Sequence, residues 1–460
     1  MKKILFTASA LFGGFFLSAQ TLDTDSIATV RIFNEVLAKG EGYENLRVLC
    51  KSVGHRLSGS PQAAAAVEWG KQAMVKAGYD SVILQPVKVP KWVRGNVEKA
   101  TLHQTNGENL SLTVKALGMS VGTPALGITA EVVEVYNLDT LKTFKKDALK
   151  GKIVFFNRPM NPHHFSTFMA YGGCVDQRGS GAATAAPFGA AAVLVRSMTL
   201  MHDDHAHTGS MRYDPKGVNI PAAALSLNDA DALSAALKGF PNSKVTLQLS
   251  CHHEDSVWSN NVIGVIRGRE KPEEIVTVGG HLDSWDVGEG AHDDGAGCAQ
   301  SIEAGRLLIQ LGLRPKRTVH VVLFMNEENG ACGGVEYARA AKRNGEKHFF
   351  AIESDAGGFS PRYWGVSAED QTWYALMNRW KKYFAWYGID QVLGSGGGVD
   401  IGPLRDAYKI PTAGYLPDSQ RYFDVHHADS DVFESIHPRE LHLGAGHLAL
   451  MVYLVGNNQK

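Results

Sequence analysis

Acids and histidines gather in a few short tracts of this 460-residue chain. Gly280-His281-Leu282-Asp283-Ser284, Asn326-Glu327-Glu328-Asn329-Gly330 and Glu353-Ser354-Asp355-Ala356-Gly357 each follow an apolar run. His292-Asp293-Asp294-Gly295 opens a helical pattern, and Val425-His426-His427-Ala428-Asp429-Ser430-Asp431 comes late. Taken singly, each has an ordinary explanation. A His-x-Asp is commonly a surface hydrogen-bonded pair, Glu-Glu is common on solvated loops, and Asp-Asp beside glycine makes turns. Taken together, so many acids need a compensating charge, because unpaired buried carboxylates repel and lose solvation. A divalent metal supplies that charge. Mixed imidazole and carboxylate donors suit zinc ahead of manganese or cobalt.

Two ions about 3.5–4 Å apart can share one bridging carboxylate and one water. Asp293 is the natural bridge, since it sits on a loop that opens a helix. His281 and Asp355 would serve one ion and Glu328 and His427 the other, or a permutation of these. Asp283, two residues after His281, is placed to hold the imidazole from behind. Neighbours on an extended segment point opposite ways, so Glu327 and Glu328 divide the roles of ligand and general base. Such a centre activates water for attack on a carbonyl.

These side chains are far apart in sequence, so strands must bring them together. The stretches 261–267, 275–279, 318–325 and 348–352 are apolar and β-branched. The run 318–325 is continuously apolar, as in a strand covered on both faces. Between the strands, Cys298, Ile302, Gly305, Ile309 and Gly312 fall on one helical face, and 335–342 is helical. Strands alternating with helices predict a largely parallel α/β sheet. In an open sheet of that kind, ligands sit beyond the carboxyl ends of the strands. Earlier, 62–77 is rich in helix formers and 82–89 alternates as a strand. The stretch 121–255 has another texture, with short strands around a Gly/Ala-rich helix at 179–192. It reads as a separate small domain, giving 1–20 as a signal peptide, 21–120 and 256–460 as the two parts of the main domain, and 121–255 as an insertion. The aromatic run 373–387 has helical spacing and reads as core or subunit packing.

Lys plus Arg is 46 and Asp plus Glu is 47, a net charge of −1, which offers no footprint for nucleic acid. Lys2 and Lys3 precede the apolar run 4–17 and the small residues Ser18 and Ala19. That is the layout of a cleaved secretory signal, and the run is short for a membrane span of about 20 residues. A periplasmic or secreted protein without a membrane anchor is expected. The five cysteines are few, scattered and odd in number, so they form no disulfide framework or CxxC zinc site. No Walker loop, Gly-x-Gly-x-x-Gly fingerprint or Gly-x-Ser-x-Gly elbow is present. His202-Asp203-Asp204-His205-Ala206-His207 looks metal-binding but lies in the presumed insertion and reads as a solvated loop, ahead of a cap contact with substrate.

The tract from Gly280 to Gly288 (GHLDSWDVG), with Asp293-Asp294-Gly295 after it, resembles the M28 family of metallopeptidases, closest to its carboxypeptidase Q branch, also called plasma glutamate carboxypeptidase. Gly54-His55-Arg56-Leu57-Ser58-Gly59-Ser60, Leu313-Arg314-Pro315-Lys316-Arg317-Thr318, Glu353-Ser354-Asp355-Ala356-Gly357 and Phe423-Asp424-Val425-His426-His427 carry the same likeness, which spans nearly the whole mature chain. The resemblance implies a three-layer α/β zinc-peptidase fold with a mixed, mostly parallel sheet and an inserted protease-associated domain. It implies His281 and Asp355 on one zinc, Glu328 and His427 on the other, Asp293 bridging the two, and Glu327 as general base. His427, rather than His426, has the acid four residues later (Asp431) that the family pattern shows. Two departures stand out: Asn326 replaces a frequent small residue, and the loop Ser395-Gly396-Gly397-Gly398-Val399-Asp400 has altered spacing.

The implied activity is an exported di-zinc exopeptidase, carboxypeptidase- or dipeptidase-like, acting on short peptides with free termini, and a homodimer. An aminopeptidase of the same family, a mono-zinc glutaminyl cyclase and a catalytically silent binding ectodomain are the alternatives.

Overall fold

The computed structural model describes residues 23–459, so the expected signal peptide at 1–20 lies outside the described residues. Both faces of the strand Arg317–Phe324 (RTVHVVLF) are apolar. Val319, Val321 and Leu323 pack into one core, and Val322 and Phe324 into another. A strand buried on both sides requires helices on both sides. Thr24–Lys39, Pro61–Lys76, Ala296–Gln310 and Pro438–Asn457 cover the first face; Cys332–Asn344 and Gly402–Tyr408 cover the second. Pro61–Lys76 starts where it does because Ser60 caps it, accepting the Ala63 N–H at 3.0 Å, with Pro61 in the first turn.

The sheet between these layers has eight strands. Their order is Ser81–Val93, His252–Ile266, Arg317–Phe324, Lys271–His281, Lys347–Ser354, Thr412–Pro417, Pro361–Ser367 and Gln391–Leu393. Its centre is parallel, from Arg317–Phe324 through Lys271–His281 and Lys347–Ser354 to Thr412–Pro417. Antiparallel pairings flank that centre on both sides. The molecule is thus a mixed three-layer α/β fold, as expected. Trp373, Met377, Trp380 and Phe384 pack into the main core.

A second eight-stranded sheet has the order Asn109–Leu112, Glu98–His103, Lys244–Leu249, Ile128–Val135, Ile153–Phe156, Ala192–Arg196, Ala222–Leu225 and Val114–Ala116. It begins at Glu98, ahead of the expected boundary at 121. Glu98–His103 fully buries only Ala100 and Leu102, too weak an alternation to show in sequence. Val93 pairs with His252, so the chain leaves the first sheet and returns to it side by side. All five cysteines are free. Among the described residues no helix is long and apolar enough to cross a membrane.

Candidate metal centre

Strand register decides which side chains meet. Gly279 lies opposite Val322 on one neighbour and Glu353 on the other, and His281 lies opposite Phe324. His281 ends its strand, and Glu327, Glu328 and Asp355 follow just beyond the ends of the adjacent two. All emerge at one carboxyl edge, where open sheets bind ligands. Ala291–Gly295, which opens the helix Ala296–Gln310, carries Asp293 to the same edge.

His281 Nε2 lies 3.2 Å from Asp293 Oδ1 and 3.5 Å from Asp355 Oδ1. His427 Nε2 lies 3.2 Å from Asp293 Oδ2 and 3.2 Å from Glu328 Oε2. His426 Nε2 is 3.6 Å from the same Asp293 oxygen, and its ring stacks on His427 at 3.6 Å. Two groups here could hold a cation: His281, Asp293 and Asp355, and Asp293, His426 and His427. Asp293 belongs to both. His426 therefore stands beside His427, but only His427 also meets Glu328.

The electrostatics ask for positive charge. Burial, reinforced by the Asp293 charge, pushes the Glu328 carboxyl up to about 7. Burial also carries Glu327 well above the usual carboxylate range. For His427, burial alone would lower the value, yet Glu328 and Asp293 bring it up to about 9. Against the same burial penalty, Asp355 and Asp293 hold His281 well above its ordinary value. Without an ion, the acids thus draw protons onto both imidazoles. Asp293 Oδ2 and Glu328 Oε1 are buried without a well-directed hydrogen bond. Among the described residues the adjoining cavity is lined by two arginines, Arg178 and Arg212, and by no lysine. Oxygen and imidazole donors converging with orphaned lone pairs fit a divalent cation.

The residues behind the site differ in part from expectation. His281 Nδ1 donates to the Asp283 carbonyl at 2.9 Å, while the nearest Asp283 carboxylate oxygen stands 4.0 Å away. That carboxylate instead accepts the backbone N–H groups of Asn326 at 2.7 Å and Glu327 at 3.0 Å. Asp283 therefore holds the ring through its backbone and aims the Glu327 turn through its side chain. Asn326 has φ 75°, and its amide donates to Ser58 Oγ at 2.7 Å, which ties the turn to the 54–60 tract. Asp294 accepts the His281 N–H and the Gly297 N–H, both at 3.0 Å.

The Peptidase family M28 model matches residues 261–451. Carboxypeptidase Q of Bos taurus is 35% identical over 94% of this chain and 88% of its own length. The chain belongs to peptidase family M28. It is accordingly a metallopeptidase. The solved M28 peptidase precursor from Shewanella amazonensis is 34% identical, with a TM-score of 0.90 over 95% of this chain and 97% of that one. The Bacillus subtilis zinc aminopeptidase shares the fold at 19% identity, with a TM-score of 0.65 over 91% of this chain and 96% of that one.

In this M28 chain a cavity of about 830 Å³ opens onto the site, lined by His281, Asp293, Glu327, Glu328, Asp355 and His427. The second sheet's layer contributes Tyr171, Arg178 and residues 210–213 to its wall. Arg178 is 8% exposed, and among the described residues no carboxylate lies within ion-pair distance of it. Its Nη1 stands 3.3 Å from both the Thr208 carbonyl and His427 Nδ1, and its Nε has no partner. Sequence reasoning missed Arg178, which carries no motif and lies within the Gly/Ala-rich helix Asp176–Ala185.

The 202–207 tract is neither a plain solvated loop nor a contact to the cavity. His207 Nδ1 donates to the His426 carbonyl at 2.7 Å, the Thr208 N–H donates to the His427 carbonyl at 3.0 Å, and His205 pairs with Asp429. These bonds hold His427 at φ 62°, a left-handed conformation that a non-glycine residue keeps only when its surroundings enforce it. In the Ser395–Asp400 tract, Val399 lines the cavity, while Asp400 is buried.

Proposed function

We propose that this M28 chain is a di-zinc exopeptidase of the carboxypeptidase or dipeptidase type. The observation that carries the reading is Asp293, whose two oxygens face two separate donor groups. His281 and Asp355 would hold one ion, Glu328 and His427 the other, with Asp293 between them and His426 behind. The likeness to a solved zinc aminopeptidase supports zinc as the metal. When bound, zinc supplies Lewis-acid polarisation of the scissile carbonyl and of water.

The chain's own residues supply the rest. Glu327 lines the cavity with its backbone fixed by Asp283, and its burial-raised carboxyl suits proton exchange. It takes the proton from the attacking water and delivers it to the departing amine. Arg178 is a nearly buried cation without an acid, so it seeks an anionic group on the substrate. The free carboxylate of a peptide is that group, and a guanidinium receives it with two donors. A cavity of about 830 Å³ accommodates a short peptide but no folded chain. The segment 1–20 directs export, and the second sheet is an insertion into the peptidase fold.

A dipeptide panel with blocked termini tests this reading. Chelation should abolish hydrolysis and added zinc restore it. Amidating the carboxyl end should remove activity, while acetylating the amino end should not. Arg178→Gln should lower kcat/KM on free-carboxylate peptides by roughly 10–100-fold, the loss of a charged hydrogen-bond pair. Activity lost on acetylation and kept on amidation would instead establish the aminopeptidase reading.

A further inference from the structure

The Gly54–Ser60 tract carries family likeness, yet none of its residues reaches the cavity that holds the site. Arg56 is fully buried, and among the described residues it has no carboxylate within ion-pair distance. Its guanidinium donates to three backbone carbonyls: Nε to Leu282 at 2.5 Å, Nη1 to Glu289 at 2.7 Å and Nη2 to Gly290 at 2.9 Å. Leu282 lies between His281 and Asp283; Glu289 and Gly290 lead into Asp293. Gly290 has φ 59°, and a Cβ there would stand 2.3 Å from Ser284 Cβ and 2.9 Å from Arg56 Nη1. The loop is thus shaped to lie against the guanidinium.

Asp431 grips the other side of the same loop. One of its oxygens accepts the His292 N–H at 2.8 Å and the other the Asp293 N–H at 3.1 Å. Its own carbonyl accepts the Glu289 N–H at 2.8 Å. Carbonyls on one side are held by a cation and amides on the other by an anion, so the two buried charges offset each other through the backbone between them.

We propose that Arg56 and Asp431 are positioning residues that clamp loop 289–293 and so aim Asp293 at both imidazoles. The effect on metal binding rests on the two-ion reading above; the clamp itself does not. Arg56→Lys keeps the charge but cannot span three diverging carbonyls. Asp431→Asn keeps the shape but loses one of two acceptors. Arg317→Lys is the control, a second arginine that is 1% exposed and is bound to Glu274 and to the Asn458 carbonyl, outside the site.

Hydrogen exchange on peptides covering 286–296, read by mass spectrometry on the metal-free full chain, is paired with zinc titration against a competing chelator. Arg56→Lys and Asp431→Asn are expected to speed exchange in that segment and to weaken zinc binding by about 10–100-fold. The peptide KM should hold while kcat falls, and Arg317→Lys should change none of these. Unchanged exchange in both variants overturns the clamp, as does an equal effect from Arg317→Lys. If the wild-type chain takes up no zinc, the two-ion reading fails, and the exchange comparison still decides the clamp.

Discussion

The Asp293 carboxylate meets His281 Nε2 with one oxygen and His427 Nε2 with the other, each at 3.2 Å. Neutral imidazoles beside one carboxylate would not need so many further acids, and Glu328, Asp355 and Glu327 all crowd the same edge. Of these, Glu327 is the one in no ion pair with either imidazole, and the Asp283 carboxylate holds its backbone N–H at 3.0 Å. Glu327→Gln is therefore expected to lower kcat by roughly 10²–10⁴-fold while zinc uptake stays at the wild-type level. Hydrolysis at the wild-type rate would show that the base lies elsewhere. His281, Asp293, Glu327, Glu328 and Asp355 could be named from sequence because each sits just past an apolar run or beside a helix start, whereas His427 was told from His426 by the family pattern that places Asp431 four residues later. Arg56 and Arg178 could not. The partners of Arg56 are backbone carbonyls, which carry no residue-type signal, and Arg178 meets the site at His427, which lies far from it along the chain.

Elements were legible where one periodicity dominated. The strands Lys271–His281, Arg317–Phe324 and Lys347–Ser354 and the helices Pro61–Lys76, Ala296–Gln310 and Cys332–Asn344 lie within a few residues of expectation, whereas Thr412–Pro417 and Pro438–Asn457 were not expected. The half-exposed strand Glu98–His103 was not, since its partner Lys244–Leu249 lies far along the chain. The helix Pro438–Asn457 shows what tertiary packing adds. Its His447 is fully buried, meets the Phe33 ring edge-on with centroids 5.0 Å apart, and places Nε2 3.1 Å from the Tyr387 carbonyl. Burial pushes His447 down to about 4. A histidine free in the unfolded chain titrates near 6.5. Below that pH the unfolded state gains a proton that the folded state refuses, so stability falls as pH drops and levels off below about 4. The full effect is on the order of 3 kcal/mol for this residue. His320 is likewise lowered to about 4 by burial. Urea midpoints should fall between pH 7 and 4.5, and His447→Leu should flatten part of that slope. Midpoints constant across the range would contradict the assignment of neutral buried histidines.

At the scale of the molecule, a net charge of −1 conceals a strongly acidic edge on the first sheet. The layer built on the second sheet walls that edge and ties down the His427 loop through His205, His207 and Thr208. Holding a left-handed His427 from outside its own sheet couples the two layers, a relation invisible to motif reading because the bonds run to backbone atoms. We propose that the tract 1–20 is a cleaved leader and that the exported chain is a homodimer. Intact mass and light scattering on the exported protein should give a chain that begins near residue 20 or 21 and a particle of twice that mass. A monomer, or a retained leader, would contradict that expectation.

On the proposed reading, Asp293 joins two ions in one site. Metal content per chain, measured by inorganic mass spectrometry after equilibration with zinc and removal of the excess, tests it most directly. Two zinc ions per chain, both lost in Asp293→Asn, is the result this geometry predicts. One tightly bound zinc per chain would contradict it and favour a mono-zinc enzyme of the cyclase type.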